Sequence, residues 1–151
     1  MSNPSADRQP TRLLFVCVEN SNRSQMAEAF ARIHGRELVE AFSAGSRPSG
    51  KINPRAIEAM KAIGYDLTQH RSKSLTDIPD VEFDFVATMG CGDECPIVPG
   101  LEHDDWPLAD PKDQPLDRVR EIREEIRTRI LALLESRGWL GNIPAVSRSR
   151  G

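Results

Sequence analysis

Apolar residues fall in two rhythms along this chain, and the alternation between them outlines the fold. Leu13-Leu14-Phe15-Val16 is a short unbroken apolar run without turn residues, which predicts a buried parallel strand. Met26, Ala29, Phe30 and Ile33 then recur at helical spacing, predicting a helix over residues 24–34 with Gly35 as its C-terminal cap. Residues 38–43 form a second strand candidate running into a turn at Ala44-Gly45-Ser46. Asn53-Pro54 is a helix start, with Asn as cap and Pro at the first helical position. Ile57, Met60 and Ile63 mark the buried face of that helix, and Gly64 ends it. Residues 66–80 are polar and irregular, with a short turn at Ser74-Leu75-Thr76-Asp77. A third buried strand is expected over residues 83–88 and a weaker fourth over 102–106. The last helix, residues 116–135, carries Leu116, Val119, Ile122, Ile126, Ile130, Leu133 and Leu134 at three- and four-residue steps, its Arg and Glu residues forming a solvated face.

The βαβα order implies a single α/β domain built on a four-stranded parallel sheet with right-handed crossovers, flanked by helices. The domain is expected over residues 12–137, between a loose N-terminus (1–11) and a tail (138–151). A chain of 151 residues can bury a core without disulfide staples. The net charge of −3 gives no general attraction to nucleic acid or anionic membranes, so any anion site must be local. Neither a membrane-length apolar stretch nor a signal-peptide core is evident, and three cysteines are an odd count. A cytoplasmic monomer whose cysteines do chemistry is the expectation.

That chemistry centres on Cys17-Val18-Glu19-Asn20-Ser21-Asn22-Arg23-Ser24, between the first strand and the first helix. A cysteine ending a strand, five residues, and an arginine opening a helix bring loop N–H groups and a helix N-terminus to one point, an oxyanion site. Arg23 can add a planar two-pronged grip, and the same field favours the thiolate of Cys17. The bland alternative is a buried cysteine near a surface arginine; the flanking strand and helix and the following Ser24 argue against it. The loop Met89-Gly90-Cys91-Gly92-Asp93-Glu94-Cys95-Pro96 lies at the carboxyl end of the third strand, the edge of a parallel sheet where sites are built. Both cysteine-bearing loops should face one rim.

Cys17-Val18-Glu19-Asn20-Ser21-Asn22-Arg23-Ser24-Gln25-Met26-Ala27-Glu28 resembles the signature of arsenate reductases built on the low-molecular-weight protein tyrosine phosphatase fold. Ser43-Ala44-Gly45, Asn53-Pro54, Cys95-Pro96-Ile97-Val98-Pro99 and Asp110-Pro111 extend the likeness over residues 12–134. The resemblance implies a mechanism of arsenic resistance. Cys17 attacks arsenate held by the amides of residues 18–24 and by Arg23, and Asp110 protonates the departing hydroxyl. A second cysteine attacks the Cys17–arsenic adduct, releasing arsenite and leaving a disulfide that a third cysteine takes over. No bound cofactor or metal is implied; the electrons come from an external thiol reductant, thioredoxin first and glutaredoxin-type systems next. Ser24 would hold the Cys17 thiolate by a hydrogen bond, and Asn20 would brace the loop. Cys91 and Cys95 stand four apart, so a helical turn would bring their Cα atoms to ~6 Å, within disulfide range. Cys91 is assigned the inner role, with Gly90 and Gly92 lending it freedom. An Asp-Pro turn is the plain alternative for Asp110. For Cys91 and Cys95 the alternatives are free thiols or zinc ligands with His103, although a fourth ligand of convincing spacing is lacking.

The chain departs from that pattern in three ways. The cysteine pair is closer than the longer insert common in thioredoxin-coupled relatives. Asn22 stands where cysteine is frequent. Lys73 stands at a position that would help hold potassium with Asn20, Glu28 and Ser43, and its ammonium is expected to replace the cation. The main competing function is a phosphatase for phosphotyrosine or small phosphate esters, which would share the loop, Arg23 and Asp110. Gln25 after Arg23-Ser24, the lack of an aromatic residue after Asp110-Pro111, and the cysteine pair weigh against it. An arsenite or metal sensor would need a DNA-binding or partner surface, which is not evident.

Overall fold

The computed structural model describes residues 9–90 and 98–141. Strands β1 (Thr11–Cys17), β2 (Val39–Gly45), β3 (Phe83–Thr88) and β4 (Gly100–Asp105) form one sheet in the order β2-β1-β3-β4. Every pairing is parallel: Cys17 lies opposite Gly45, and Val16 opposite Thr88. The central strand β1 is buried on both faces, which is why it reads as an unbroken apolar run. Its alternate residues serve two cores. Leu13 and Phe15 pack with buried residues of α1 (Arg23–Gly35), α2 (Pro54–Lys61) and α3 (Leu116–Arg137). Leu14 and Val16 pack with Val86, Leu75, Ile78, Val81 and Val98. The three α-helices thus share one core, and an irregular segment with a 3₁₀ turn at Leu75–Asp77 contributes to the other. Among the described residues no helix is long and apolar enough to cross a membrane.

Several boundaries differ from the expectation, each for a local reason. Gly35 is the last residue of α1 rather than its cap, and Arg36 takes the positive φ of 50°. A Cβ at Gly35 would stand 2.2 Å from Val39 Cγ2, so packing against β2 requires the glycine. Ile63 is 41% exposed, not buried: α2 stops at Lys61, and the following turn through Gly64 (φ 89°) carries Ile63 off the apolar stripe, which Ala56, Ala59 and Met60 occupy. β4 begins at Gly100 and ends before Trp106, whose buried ring packs near Phe15 and Phe85. The face of α3 is not wholly solvated either, because Arg123 Nη1 donates to the Ala59 carbonyl at 2.8 Å and ties α3 to α2. Asn53 caps α2 as expected, its side chain accepting from Arg55 N.

Ala44-Gly45 is strand rather than turn, continuing β2 to the level of Cys17. Gly45 is required there by a close approach: a Cβ would stand 2.4 Å from the Val18 carbonyl oxygen and 3.0 Å from Asn20 N. Gly45→Ala should therefore displace the loop after Cys17 and cost about 1–3 kcal/mol of stability, as overpacked sites do. Urea unfolding measures it, and an unchanged midpoint with an unchanged slope would mean that the contact relaxes freely.

Candidate active site

The segment 18–22 leaves the carboxyl end of β1 and enters α1, so its own backbone polar groups must find partners. Its carbonyls find them on the outside. Cys17 O accepts from Ser46 N (3.2 Å), Val18 O from Arg47 N (2.8 Å), Glu19 O from Ser49 N (3.1 Å) and Ser21 O from Asn53 N (3.0 Å). Asn22 O accepts the first bond of α1, from Met26 N at 3.0 Å. With the oxygens drawn outward, the amide edge of the loop is left toward a cavity of about 450 Å³. That cavity is lined by Cys17, Val18, Glu19, Ser21, Asn22 and Arg23 from the loop, and by Arg47, Gly90, Leu108, Asp110 and Lys112 around it. Concave backbone of this kind at a helix N-terminus binds anions.

Asn20 and Ser24 do not line the cavity; both are fully buried behind it. Asn20 takes a φ of 53°, a conformation asparagine tolerates better than most residues, and its N–H donates to Cys17 Sγ at 3.1 Å. Its side-chain Nδ2 donates to Ser24 Oγ at 2.8 Å. Ser24 Oγ, already accepting, has its own proton to offer Cys17 Sγ, which lies 2.8 Å away. Two donors thus converge on the sulfur.

Arg23, expected to grip an oxyanion with two prongs, is itself held by the protein at one end. Its Nη1 donates to the carbonyls of Met89 (2.6 Å) and Leu108 (3.0 Å), and Nη2 lies 3.9 Å from Asp110 Oδ2. The two carbonyls hold the Nη1 end of the guanidinium, and Nη2 faces the Asp110 carboxylate in the cavity wall. Asp110 is largely exposed, and its Oδ1 accepts from Lys112 N at 3.0 Å, the Asp-Pro turn of the plainer reading. The turn and a place in the cavity wall are compatible.

Behind the loop lies a buried polar network. Gln25 Nε2 donates to Asn20 Oδ1 (2.8 Å), Asn20 O (3.0 Å) and Arg71 O (2.7 Å). Its Oε1 must then accept from His70 Nδ1 at 2.9 Å, which leaves His70 Nε2 to accept the Tyr65 hydroxyl at 2.6 Å. A neutral ring satisfies both contacts. Burial pushes His70 below its ordinary value of 6.5, against the weaker opposing pull of Glu28. The buried Glu28 carboxylate is met by Arg32 Nη2 (2.6 Å), the Ser43 hydroxyl (2.5 Å) and Lys73 Nζ (3.5 Å). Lys73 Nζ also donates to Ser43 Oγ (3.2 Å) and Arg71 O (3.1 Å), and Lys73 N donates to Asn20 Oδ1 (2.9 Å). Burial lowers the Lys73 ammonium from its ordinary value, with Glu28 pulling the other way.

Cys17, Arg23 and Asp110, expected to act together, line one cavity. Cys91 and Cys95 lie outside the described residues. His103, the third zinc ligand considered, has its Nε2 at 2.6 Å from the Val98 carbonyl. Arg47 and Lys112 are cavity residues that the sequence reading missed. Lys112 was signalled only by its place beside Asp110-Pro111, and Arg47 only by following the strand paired with β1.

Residues 12–138 match the family described as low molecular weight phosphotyrosine protein phosphatase. A curated relative named as a putative arsenate reductase, from Halobacterium salinarum, is 35% identical over 136 residues, covering 87% of this chain and 95% of its own. A solved structure titled an arsenate reductase in the phosphate binding state superposes with a TM-score of 0.75 at 31% identity, covering 83% of this chain and 98% of that one. A thioredoxin-dependent arsenate reductase from Corynebacterium glutamicum gives a TM-score of 0.69 at 37% identity, over 88% of this chain and 65% of that one.

The His70 network carries a pH dependence whose sign is fixed. Below the ordinary value of 6.5 the unfolded chain takes up a proton that the folded ring resists, so stability falls as pH falls through this region. His34, also lowered by burial, adds a similar slope, so the comparison is with a variant. His70→Gln should melt lower than the parent at neutral pH and lose less melting temperature between about pH 7.5 and 5.5. Equal slopes for parent and variant would remove His70 from the account.

Proposed function

From the low molecular weight phosphotyrosine protein phosphatase family, to which this chain belongs, we propose that it acts as an arsenate reductase whose electrons pass through its own cysteines. What carries this reading is that Cys17, Arg23 and Asp110 line one cavity in a chain that aligns almost end to end with a relative named as an arsenate reductase. Arsenate sits on the loop amides and the Arg23 guanidinium. The Cys17 thiolate attacks arsenic, and Asp110 supplies the proton with which one oxygen departs as water. Cys91 then attacks the Cys17 sulfur. A Cys17–Cys91 disulfide forms, the sulfur–arsenic bond breaks, and its electron pair stays on arsenic, which leaves as arsenite. Cys95 attacks Cys91 and frees Cys17. The resulting Cys91–Cys95 disulfide is reduced by an external dithiol, for which thioredoxin is the first candidate and a glutaredoxin-type system the second, the former supported by the thioredoxin-dependent relative.

Cys91 as the inner member is supported by its neighbour: Gly90, joined to it by one peptide bond, lines the same cavity as Cys17. Gly90 has a φ of 75° and is anchored by its N–H to Asp105 Oδ1 at 3.1 Å. The chain therefore reaches the cavity wall at the residue before Cys91.

A potassium ion beside the loop does not fit these residues. The oxygens that would hold it, Ser43 Oγ and the Glu28 carboxylate, already face the Lys73 ammonium, and Asn20 Oδ1 accepts two N–H groups. Lys73 supplies the positive charge in its place.

Two experiments test this reading. With thioredoxin, its reductase and NADPH, Cys17→Ser should abolish arsenite release, whereas Cys91→Ser and Cys95→Ser should stop turnover but spare slow hydrolysis of an aryl phosphate at Cys17. Cys95→Ser should release about one arsenite per enzyme and stall as a Cys17–Cys91 disulfide, detectable by mass spectrometry. Sustained turnover by both variants would discard the relay and bring the phosphatase reading forward. For the cation, replacing sodium by potassium should leave both melting temperature and rate unchanged in the parent chain; a clear rise in either would show that Lys73 does not replace it.

A further inference from the structure

An acidic side chain is out of place on a loop that cradles a dianion, and this loop carries one. Glu19 stands two residues after Cys17 and lines the cavity with it. It cannot swing away with its backbone, since its carbonyl is held by both Ser49 N (3.1 Å) and Ser72 Oγ (2.9 Å). Its carboxylate instead meets Lys112, with Nζ 3.0 Å from Oε2 across 93 residues of sequence. Both side chains line the catalytic cavity, and both also line a neighbouring cavity of about 440 Å³ with Arg47 and Ser49, so the ion pair belongs to the wall common to the two. Lys112 is tied at its other end as well, its N–H donating to Asp110 Oδ1. One residue thus contacts the proposed acid through its backbone and cancels the charge of the oxyanion loop through its side chain.

We propose that Lys112 is a positioning residue that neutralises Glu19 and so makes the rim of the cavity acceptable to a doubly charged tetrahedral oxyanion. The pair is a charge-balanced clasp between the nucleophile loop and the Asp110 loop. An exposed ion pair of this kind contributes little to folding. Its consequence lies in the field at the cavity: with Lys112 gone, a carboxylate that has lost its ion-pair partner faces the incoming dianion. Glu19 in turn holds the lysine at the rim and keeps it from closing directly on the bound anion. The Lys112 ammonium is itself held in its charged form, its value raised first of all by the hydrogen bond to Glu19.

The inference rests on the oxyanion site of the proposed function but not on the cysteine relay, and binding separates the two. Inorganic phosphate and arsenate are titrated calorimetrically into the full chain carrying Cys17→Ser, which removes the chemistry. Adding Lys112→Met should weaken binding of both anions about fivefold to tenfold at low ionic strength, less at high salt. Adding Glu19→Gln to that variant should restore the affinity to within about twofold, and Lys112→Arg alone should bind nearly as the parent does. In the enzyme with Cys17 intact, the same substitution should raise KM for arsenate more than it lowers kcat. If Lys112→Met binds phosphate as the parent does, the clasp is overturned and the reductase reading stands. If the double variant stays as weak as Lys112→Met, Lys112 touches the anion directly and compensation of Glu19 is refuted. Absence of oxyanion binding to the parent would overturn the site and the clasp together.

Discussion

The conformation of Asn20 is the constraint on which the rest of the site depends. A loop whose amides face inward has to turn sharply, and this one does so at a residue with a φ of 53°. The strain of that conformation is answered on every side of the side chain. Nδ2 donates to Ser24, Oδ1 accepts from Gln25 and from Lys73 N, and the backbone N–H is aimed at the Cys17 sulfur. A left-handed residue elsewhere is a liability of about 1–3 kcal/mol, tolerated only where its surroundings over-determine it. Here the over-determination is the site itself. The groups that hold Asn20 also orient Ser24, and Ser24 and Asn20 together place two hydrogen-bond donors at the Cys17 sulfur.

The same constraint explains why so much charge is buried behind the loop. Glu28 is 3% exposed, and burying a carboxylate is costly unless it is paired and hydrogen-bonded. Arg32, Ser43 and Lys73 meet both of its oxygens, and Lys73 continues from Glu28 to Asn20 through its own backbone N–H. The carboxylate is thus one end of a chain of contacts whose other end is the turn in the oxyanion loop. Gly45 closes the arrangement from the strand side, where any side chain would strike Val18 and Asn20.

Much of this was legible in the sequence because the physics was local. The two-sided burial of β1 is written as Leu13-Leu14-Phe15-Val16, and the start of α2 as Asn53-Pro54, each needing only neighbouring residues to interpret. Cys17, Arg23 and Ser24 were readable for the same reason, since a strand, a loop and a helix N-terminus in direct succession fix their relation. What was not legible came from distant chain. Gly45 looks like a turn residue in isolation, and only the approach of Val18 reveals it as a strand residue. Ile63 follows the apolar spacing of α2 faithfully, yet the helix ends two residues earlier. The second half of the Arg23 guanidinium story, its anchoring to Met89 and Leu108, involves partners 66 and 85 residues away. Lys112 meets Glu19 across a still greater separation, and no spacing rule could have joined them.

The chain carries a net charge of −3, so the oxyanion is not gathered by a long-range field. In the proposed site it is recognised at contact, by amides and by one fixed guanidinium, and recognition of that kind reads shape and charge. Arsenate and phosphate share both. Selectivity between them therefore cannot reside in the loop, however well Asn20 holds it, and must arise after the nucleophile has attacked. At that point the two elements diverge, because arsenic(V) can take an electron pair from a sulfur–arsenic bond and phosphorus(V) in the same place cannot. A site that binds both anions and reduces only one needs a second thiol within reach of the first. Gly90, the residue before Cys91, lines the cavity with Cys17. In the proposed relay, the phosphatase fold supplies the binding and the added cysteines decide what becomes of the anion bound.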